Sequence, residues 1–74
     1  MTEKEKILKK FGASVKQIRK SKKMTMLDLE VATGISEGSL SKIENGKKNL
    51  ALTTVVKLAE GLAVSPSKLL HPFD

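Results

Sequence analysis

The fold is decided by residues 25–46, which read TMLDLEVATGISEGSLSKIENG. Gly34 follows a run of helix-compatible residues, and a glycine there takes positive φ at little cost and ends a first helix abruptly. Ser36 is a preferred N-cap for a second helix, because its hydroxyl can accept a backbone N–H from the open first turn. Gly46 then ends that second helix. The stretch therefore predicts two short helices joined by a turn of a few residues.

A turn this short forces the two helices to cross steeply, and it leaves one side of the second helix exposed. Leu40 and Ile43 lie three residues apart and supply the buried face of that helix. Two short helices joined in this way are typical of a helix-turn-helix, whose second helix enters the major groove of DNA. No other stretch of the chain competes with residues 25–46 as a functional signal.

A long helix is predicted before this pair. Thr2 and Glu5 have capping-box spacing, so the helix begins there and continues to about Ser21. Gly12 weakens it slightly, since glycine costs about 1 kcal/mol relative to alanine inside a helix. Its apolar residues recur at helical spacing and form one stripe, which consists of Ile7, Phe11, Val15 and Ile18.

Two further helices are predicted after the pair. A fourth begins at Leu52 or Thr53 and repeats apolar residues at helical spacing. Ser65 caps a short fifth helix, and Pro66 fits its first position. Because no strand pattern, repeat or linker is present, we expect one all-α domain over residues 1–74, a compact bundle of five helices.

The composition indicates a small basic protein without metal or disulfide chemistry. The 74 residues carry a net charge of +6, and residues 1–25 hold nine cationic side chains against two carboxylates. A basic flank suits a polyanion, although a solvated lysine-rich helix face explains it equally well. There is no cysteine, and no segment approaches the roughly 18 apolar residues that span a membrane. We expect a cytoplasmic protein with no membrane contact, cofactor or metal.

The chain resembles the Cro/cI-type (XRE-like) helix-turn-helix regulators, a family of phage repressors and their bacterial relatives. Residues 11–23 resemble the first helix of that family, and residues 55–70 resemble its fourth and fifth helices. The resemblance implies a lambda-repressor-like DNA-binding domain with its motif at about residues 25–46. It is carried within the motif by Leu29, Gly34, Ile35, Ser36, Leu40, Ser41, Ile43, Glu44, Asn45 and Gly46.

The resemblance also implies which residues contact double-stranded DNA. Family docking puts the start of the second motif helix against the bases. Lys42 can donate to guanine and Glu37 can accept from cytosine, whereas Gly38 lets the DNA approach or is only a tolerated helix defect. The base-reading set is Ser36, Glu37, Gly38, Ser39 and Lys42. The phosphate-contacting set is Arg19, Lys23, Thr25, Ser41, Asn45, Lys47, Lys48 and Asn49.

One contact inside the domain is implied as well. In many family members an arginine of the first helix pairs with a glutamate of the recognition helix, and Arg19 and Glu44 match these positions. We therefore expect Glu44 to be a structural partner of Arg19 rather than a DNA contact.

The chain departs from the family at several positions. Met26 replaces a glutamine whose amide holds a phosphate in many relatives. Glu30 replaces an alanine at the helix crossing, so its carboxylate must reach solvent or find a partner. Ala63 stands where relatives often have glycine, asparagine or aspartate, and positive φ there would cost roughly 1–2 kcal/mol. A second apolar stripe of Met24, Leu27 and Val31 is interpreted as core that wraps around the short helix, the alternative being a partner surface.

A homodimer is expected, because one such domain reads only a few base pairs and two half-sites lie roughly 34 Å apart on the duplex. The segment of about residues 62–74 is more apolar than a short helix and tail can bury. The alternative is that Leu69 caps the core and Phe73 is a disordered tail. The predicted interface consists of Leu50, Leu52, Val64, Leu69, Leu70 and Phe73.

The function predicted from these features is sequence-specific transcription regulation by a homodimer on an inverted-repeat operator. Two dimers can bind side by side on one operator in this kind of protein, and RNA polymerase is a further expected partner. Among stand-alone relatives the chain looks most like restriction–modification controller proteins, which regulate their own genes. The alternative is an antitoxin-like or coactivator-like protein-interaction module. We do not expect an enzyme, since His71 is the only histidine and no nucleophile–base spacing surrounds it.

Overall fold

The computed structural model describes residues 1–74, with five α-helices and no strand. No helix combines the length and the apolar character that crossing a membrane requires. A 3-10 turn at His71–Phe73 follows the last helix. The helices are α1 (Glu3–Ser21), α2 (Met26–Thr33), α3 (Glu37–Glu44), α4 (Leu52–Gly61) and α5 (Pro66–Leu70).

The first three helices begin at side-chain caps that the sequence predicts. Thr2 and Glu5 form a capping box on α1, and the Ser36 hydroxyl accepts the backbone N–H of Ser39 on α3. The cap of α2 at Thr25 is a capping box too, because Asp28 accepts the Thr25 backbone N–H. The helix boundaries around the predicted motif are therefore set by local hydrogen bonds.

Glycines end both helices of the motif. Gly34 has φ +76° and closes α2 with a bond from its N–H to the Glu30 carbonyl, as expected. Gly46 has φ +70° and follows the last residues of α3. Ala63 has φ +56°, so the turn between α4 and α5 carries the strain that the sequence suggested.

The core consists of ten buried apolar side chains drawn from all five helices. Helix α3 packs against α1 and α2, whereas α5 packs against α1 and α4. Ile7 was expected in this core, but it is half-exposed, and Leu8 and Phe11 occupy the inner side of α1 near that end. The core residues are Phe11, Val15, Ile18, Leu29, Leu40, Ile43, Leu58, Ala59, Leu62 and Leu69.

Gly12 marks the closest approach between α1 and α3. A Cβ atom at this position would lie 2.3 Å from the carbonyl oxygen of Ile43 and 2.6 Å from that of Glu44. The sequence indicated only a weak point in the helix. The structure shows that the missing side chain lets the two helices touch through their backbones.

The second apolar stripe divides into two parts. Met24 packs against the core, as the preferred interpretation of the stripe requires. Leu27 and Val31 instead point to solvent, and Val31 is 79% exposed. For these two side chains the core interpretation was wrong. Helix α2 packs mainly against α3 and α4, and these neighbours leave Leu27 and Val31 exposed.

Candidate nucleic-acid interface

Helix α3 has one buried face and one open face. Leu40 and Ile43 lie in the core, so the other side of this two-turn helix faces solvent. A Cβ atom added at Gly38 would meet no atom within 4 Å, so the surface there is open. The predicted base-reading residues all lie on this open side: Ser36, Glu37, Gly38 and Lys42 are exposed, and Ser39 is half-buried.

Glu30 is held at the first turn of α3. Its Oε1 accepts the backbone N–H of Glu37 at 3.0 Å, so this carboxylate finds a partner across the helix crossing. The Ser36 hydroxyl accepts the next free N–H of the same turn, that of Ser39, at 3.2 Å. Two acceptors therefore satisfy the Glu37 and Ser39 N–H groups in the first turn of α3, and a carboxylate is favourable at this positive end of the helix dipole.

Arg19 and Glu44 form a buried, two-pronged ion pair. Arg19 Nε and Nη2 donate to the two Glu44 carboxylate oxygens at 2.7 and 3.1 Å, and Nη1 donates to the Met24 carbonyl at 2.8 Å. The hydrogen bond to Glu44 raises the pKa of Arg19 above its ordinary value. This contact joins α1 to the end of α3, as the sequence predicted.

The prediction of a phosphate contact for Arg19 has to be corrected. The residue is 8% exposed, and each guanidinium nitrogen already donates inside the protein. A phosphate would have to compete with the desolvated Glu44 carboxylate, which is the stronger partner in a buried pair. Arg19 therefore acts inside the protein, where it joins α1 to the end of α3 through Glu44.

The remaining residues predicted to contact phosphates are exposed on the surface. Lys48 Nζ donates to the Ser39 hydroxyl at 3.4 Å, which brings the loop after α3 beside the base-reading set. Asn45 Nδ2 lies 3.4 Å from the Ser41 hydroxyl. The Thr25 hydroxyl accepts the Asp28 backbone N–H and keeps its own proton free to donate. The exposed members are Lys23, Thr25, Ser41, Asn45, Lys47, Lys48 and Asn49.

Met26 does not take over the role of the family's glutamine. It is half-buried and packs against the core, and a thioether has no N–H to offer a phosphate. The first turn of α2 therefore presents Thr25 and Asp28, whose side chains are already joined in the capping box.

The predicted interface between protomers needs one correction as well. Leu69 is fully buried in the core of its own chain, and its carbonyl accepts the buried Ser14 hydroxyl at 2.9 Å. Leu50 and Val64 are half-buried, and Leu70 and Phe73 are exposed. Leu52 is 77% exposed at the start of α4.

Phe73 is not a loose tail. It lies in the 3-10 turn, its ring is 5.3 Å from the Lys10 ammonium, and it lines an apolar groove together with Leu50 and Leu70. Ile7 and Val55 line the same groove. The helical spacing of Ile7 did not predict that it lies on the surface. Its position in the first turns of α1, at the end of the apolar stripe, was the available sign that it could be exposed.

His71 lies on the surface at the start of the 3-10 turn. Its Nδ1 is 3.2 Å from a carboxylate oxygen of Asp74, and both side chains are well exposed. No three histidine, cysteine or carboxylate side chains converge as a metal site would require.

The chain is similar to known proteins in both sequence and structure. Residues 15–69 match the helix-turn-helix family HTH_3. The HTH-type transcriptional regulator y4dJ of Sinorhizobium fredii is 33% identical over 66 residues, which are 89% of this chain and 86% of that protein. The control protein C.BamHI of Bacillus amyloliquefaciens is 36% identical over 61 residues, 81% of this chain and 75% of that protein.

Two other matched regulators, both from Bacillus subtilis, are longer, and the chain spans 44% and 48% of their lengths. Among solved structures, the restriction-modification controller protein C.AhdI of Aeromonas hydrophila superposes with a TM-score of 0.81 at 29% identity. The superposition covers 84% of this chain and 94% of that one.

Proposed function

The chain belongs to the helix-turn-helix family of DNA-binding transcriptional regulators, and we propose that it acts as a homodimer on an inverted-repeat operator that controls its own gene. The observation that carries this proposal is the open face of α3. Its side chains are exposed, while Leu40 and Ile43 hold the other face in the core. Such a helix fits the major groove, where base edges present a readable donor and acceptor pattern.

The proposed readout assigns different tasks to different side chains. Lys42 donates to guanine O6 and N7, Glu37 accepts from cytosine N4, and Ser39 discriminates weakly because a hydroxyl both donates and accepts. The exposed cations and amides on either side of α3 contact phosphates, which supply affinity but no sequence information. The buried Arg19–Glu44 pair keeps α3 at a fixed angle to α1.

The proposed dimer rests on the apolar surface around the groove lined by Leu50, Leu70 and Phe73. We assign Leu52 and the half-buried Val64 to the same interface, and Leu52 is among the most exposed apolar side chains of the chain. A two-fold interface brings the same patch together from both protomers. Two copies of α3 would then face successive major grooves of one duplex.

Control of its own gene is supported by the kind of relative. The two proteins C.BamHI and C.AhdI are named as control proteins, the latter of a restriction–modification system. In such a scheme the concentration of the protein regulates transcription, because it determines the fraction of dimer and the occupancy of the promoter. A reporter fused to the DNA upstream of the gene tests this. Its output must change as the protein is titrated in, and the same change must need more protein with Lys42→Ala.

Sequence-specific binding is tested by selecting bound duplexes from a random DNA pool. We expect a palindrome with half-sites about one helical turn apart. Lys42→Ala should relax the preference at one position in each half, with a cost of about 1–3 kcal/mol for the preferred base. The matched control is Lys57→Ala, which removes an exposed lysine from α4 and should leave the selected sequence unchanged.

An unchanged random pool would contradict the proposal, and so would binding that depends on salt but is indifferent to Lys42. In that case the second candidate is a protein-interaction module of the same fold. It is favoured by the exposed apolar pair Leu27 and Val31 on α2. A partner captured by the wild type and lost with Leu27→Glu/Val31→Glu would support it.

A further inference from the structure

A polar cleft separates the first turns of α1 from the loop that follows α3. It is an open depression of about 610 Å³ with three lysines around it, Lys4 and Lys9 from α1 and Lys47 from the loop. Asn49 lines the side nearest the loop. The predicted contact residues include Lys47 and Asn49, but nothing on α1 before Arg19.

The cleft is held in shape by a backbone contact. A Cβ atom at Gly46 would lie 2.7 Å from both the Cα and the N atom of Lys9, so the loop rests directly on the backbone of α1. On its other side the loop reaches the open face of α3, where Lys48 Nζ donates to Ser39. The lysines of the cleft therefore lie next to the surface that presents the base-reading side chains.

The three ammonium groups form no ion pair or hydrogen bond inside the protein. None of them lies within 4 Å of a carboxylate oxygen, since the ion pairs of the chain are Arg19–Glu44 and His71–Asp74. Glu5 also lines the cleft, but its Oε1 accepts from the backbone N–H and the hydroxyl of Thr2. These bonds lower the pKa of Glu5 and fix its carboxylate at the helix start, and the nearby charge of Lys9 lowers that pKa further.

We propose that Lys4 and Lys9 bind DNA phosphate groups that lie beyond the base pairs read by α3, next to the phosphate held by Lys47. This inference rests on the proposed DNA binding and extends its footprint. Three unpaired cations around one opening suit a row of phosphates, which carry one charge per roughly 1.7 Å of duplex axis. Both lysines precede residue 15, so they lie outside the part of the chain that matches the family.

The test compares two variants that lose the same charge. Lys4→Gln/Lys9→Gln removes the α1 side of the cleft, and Lys57→Gln/Lys68→Gln removes two exposed lysines from α4 and α5, which pack on the side of α1 and α2 away from α3. Glutamine keeps the helix propensity of lysine. Affinity for the selected duplex is measured by fluorescence anisotropy across salt concentrations, and thermal unfolding verifies that both variants fold.

Each phosphate contact contributes about 0.9 to the slope of log affinity against log salt. We expect the cleft variant to lose about 1.8 from this slope per protomer and about 3.6 for the bound dimer, so its affinity falls about 150-fold less than that of the wild type between about 50 and 200 mM salt. The α4/α5 variant should keep the wild-type slope. Equal slopes for the two variants would overturn the inference.

Duplex length gives a second readout that a structural role would not alter. Trimming the base pairs outside the half-sites should abolish the difference between wild type and Lys4→Gln/Lys9→Gln, whereas a persistent difference would overturn the inference. If the random pool yields no preferred sequence, the proposed function fails, but the slopes are still compared on a long duplex of arbitrary sequence. The two failures are therefore distinguishable.

Discussion

Gly12 and Gly38 are both helical glycines, yet their surroundings differ completely. Alanine at Gly12 would place its methyl group within 2.3–2.6 Å of two carbonyl oxygens of α3, which cannot swing aside as a side chain would. We expect Gly12→Ala to lower the free energy of unfolding by about 2 kcal/mol, since overpacking outweighs the gain in helix propensity. Urea denaturation measures this change.

The matched control is Gly38→Ala, where the added methyl group meets nothing within 4 Å. That change should raise the free energy of unfolding by about 0.5–1 kcal/mol, because alanine is the better helix former and no contact is disturbed. If the same substitution changes the free energy of unfolding in opposite directions at Gly12 and Gly38, the effect of packing is separated from that of helix propensity. A gain in stability from Gly12→Ala would show that α1 and α3 are farther apart than described.

Glu44 lies at the end of the recognition helix, but its task is structural. Removing it leaves the buried Arg19 guanidinium without its carboxylate, and breaking a buried pair from one side costs about 3 kcal/mol or more. We expect Glu44→Ala to lower the free energy of unfolding by about that amount in chemical denaturation. Glu60→Ala, an exposed glutamate of α4, serves as control and should change it by less than about 0.5 kcal/mol.

A loss below about 1 kcal/mol for Glu44→Ala would mean that the ion pair is solvated and that Arg19 is free for other partners. Arg19→Lys should also destabilise the protein, because an ammonium cannot bond both carboxylate oxygens and the Met24 carbonyl in the fixed fork of a guanidinium.

Helix α2 begins at a capping box whose strength depends on pH. Asp28 accepts the Thr25 backbone N–H at 2.8 Å, and this bond lowers the pKa of the Asp28 carboxyl in the folded protein. Its pKa in the unfolded chain is higher, about 3.9, so the folded state binds fewer protons in this range. The stabilisation is therefore complete above the unfolded pKa and is lost as pH falls through the folded value.

We expect Asp28→Asn to remove this contribution, so that its free energy of unfolding declines less steeply in acid than that of the wild type. Denaturant titrations from neutral pH down through the carboxyl range measure the two slopes. Glu3→Gln is the control, because this first-turn carboxylate of α1 accepts no hydrogen bond from a cap. Identical acid slopes for wild type and Asp28→Asn would contradict the role of the box.

The elements that the sequence predicts well are those decided locally. A cap at Thr2, Thr25 or Ser36 involves residues three positions apart, so its signal is present in a few consecutive letters. The same holds for Gly34, whose left-handed conformation ends α2. The first three helices were predicted correctly for this reason. Helices α4 and α5 begin without a side-chain cap, even at Ser65, and their prediction rests on apolar spacing and on Pro66.

What depends on contact between distant elements was predicted less well. Gly12 is needed because the backbone of α3 lies against it, and Leu69 is buried because α5 packs on α1 and α4. Glu30 could only be described as needing a partner, because the Glu37 N–H reaches it across the helix crossing. The Arg19–Glu44 pair was predicted through the family resemblance, since no local pattern joins residues 25 positions apart.

At the scale of the whole molecule, the proposed base-reading surface and the proposed dimer surface occupy different elements. The base-reading residues lie on α3, which packs against α1 and α2, while the apolar groove is lined from α1, the loop before α4, and the C-terminal turns. A protomer could therefore hold DNA and a second copy at once. The α1 helix contributes to both sides, through Lys4 and Lys9 at the cleft and Ile7 and Phe11 at the groove.

This separation predicts that the dimer can be broken without disturbing the fold. Leu52 is 77% exposed in the first turn of α4, where a glutamate is favourable for the helix dipole. In the proposed dimer, however, Leu52→Glu would bury one carboxylate from each protomer in the interface. Sedimentation equilibrium should show a dimer for the wild type and a monomer for Leu52→Glu at the same concentration.

The control for this prediction is Leu27→Glu, which introduces the same charge at an exposed leucine in the first turn of α2. It should remain dimeric, since no residue of α2 lines the groove of the proposed interface. With the dimer lost, Leu52→Glu should occupy each half-site independently, so that affinity no longer depends on the spacing between half-sites. If wild type and both variants sediment as monomers, the proposal that this surface forms a dimer is refuted. If Leu27→Glu alone is monomeric, the copies meet through α2 instead.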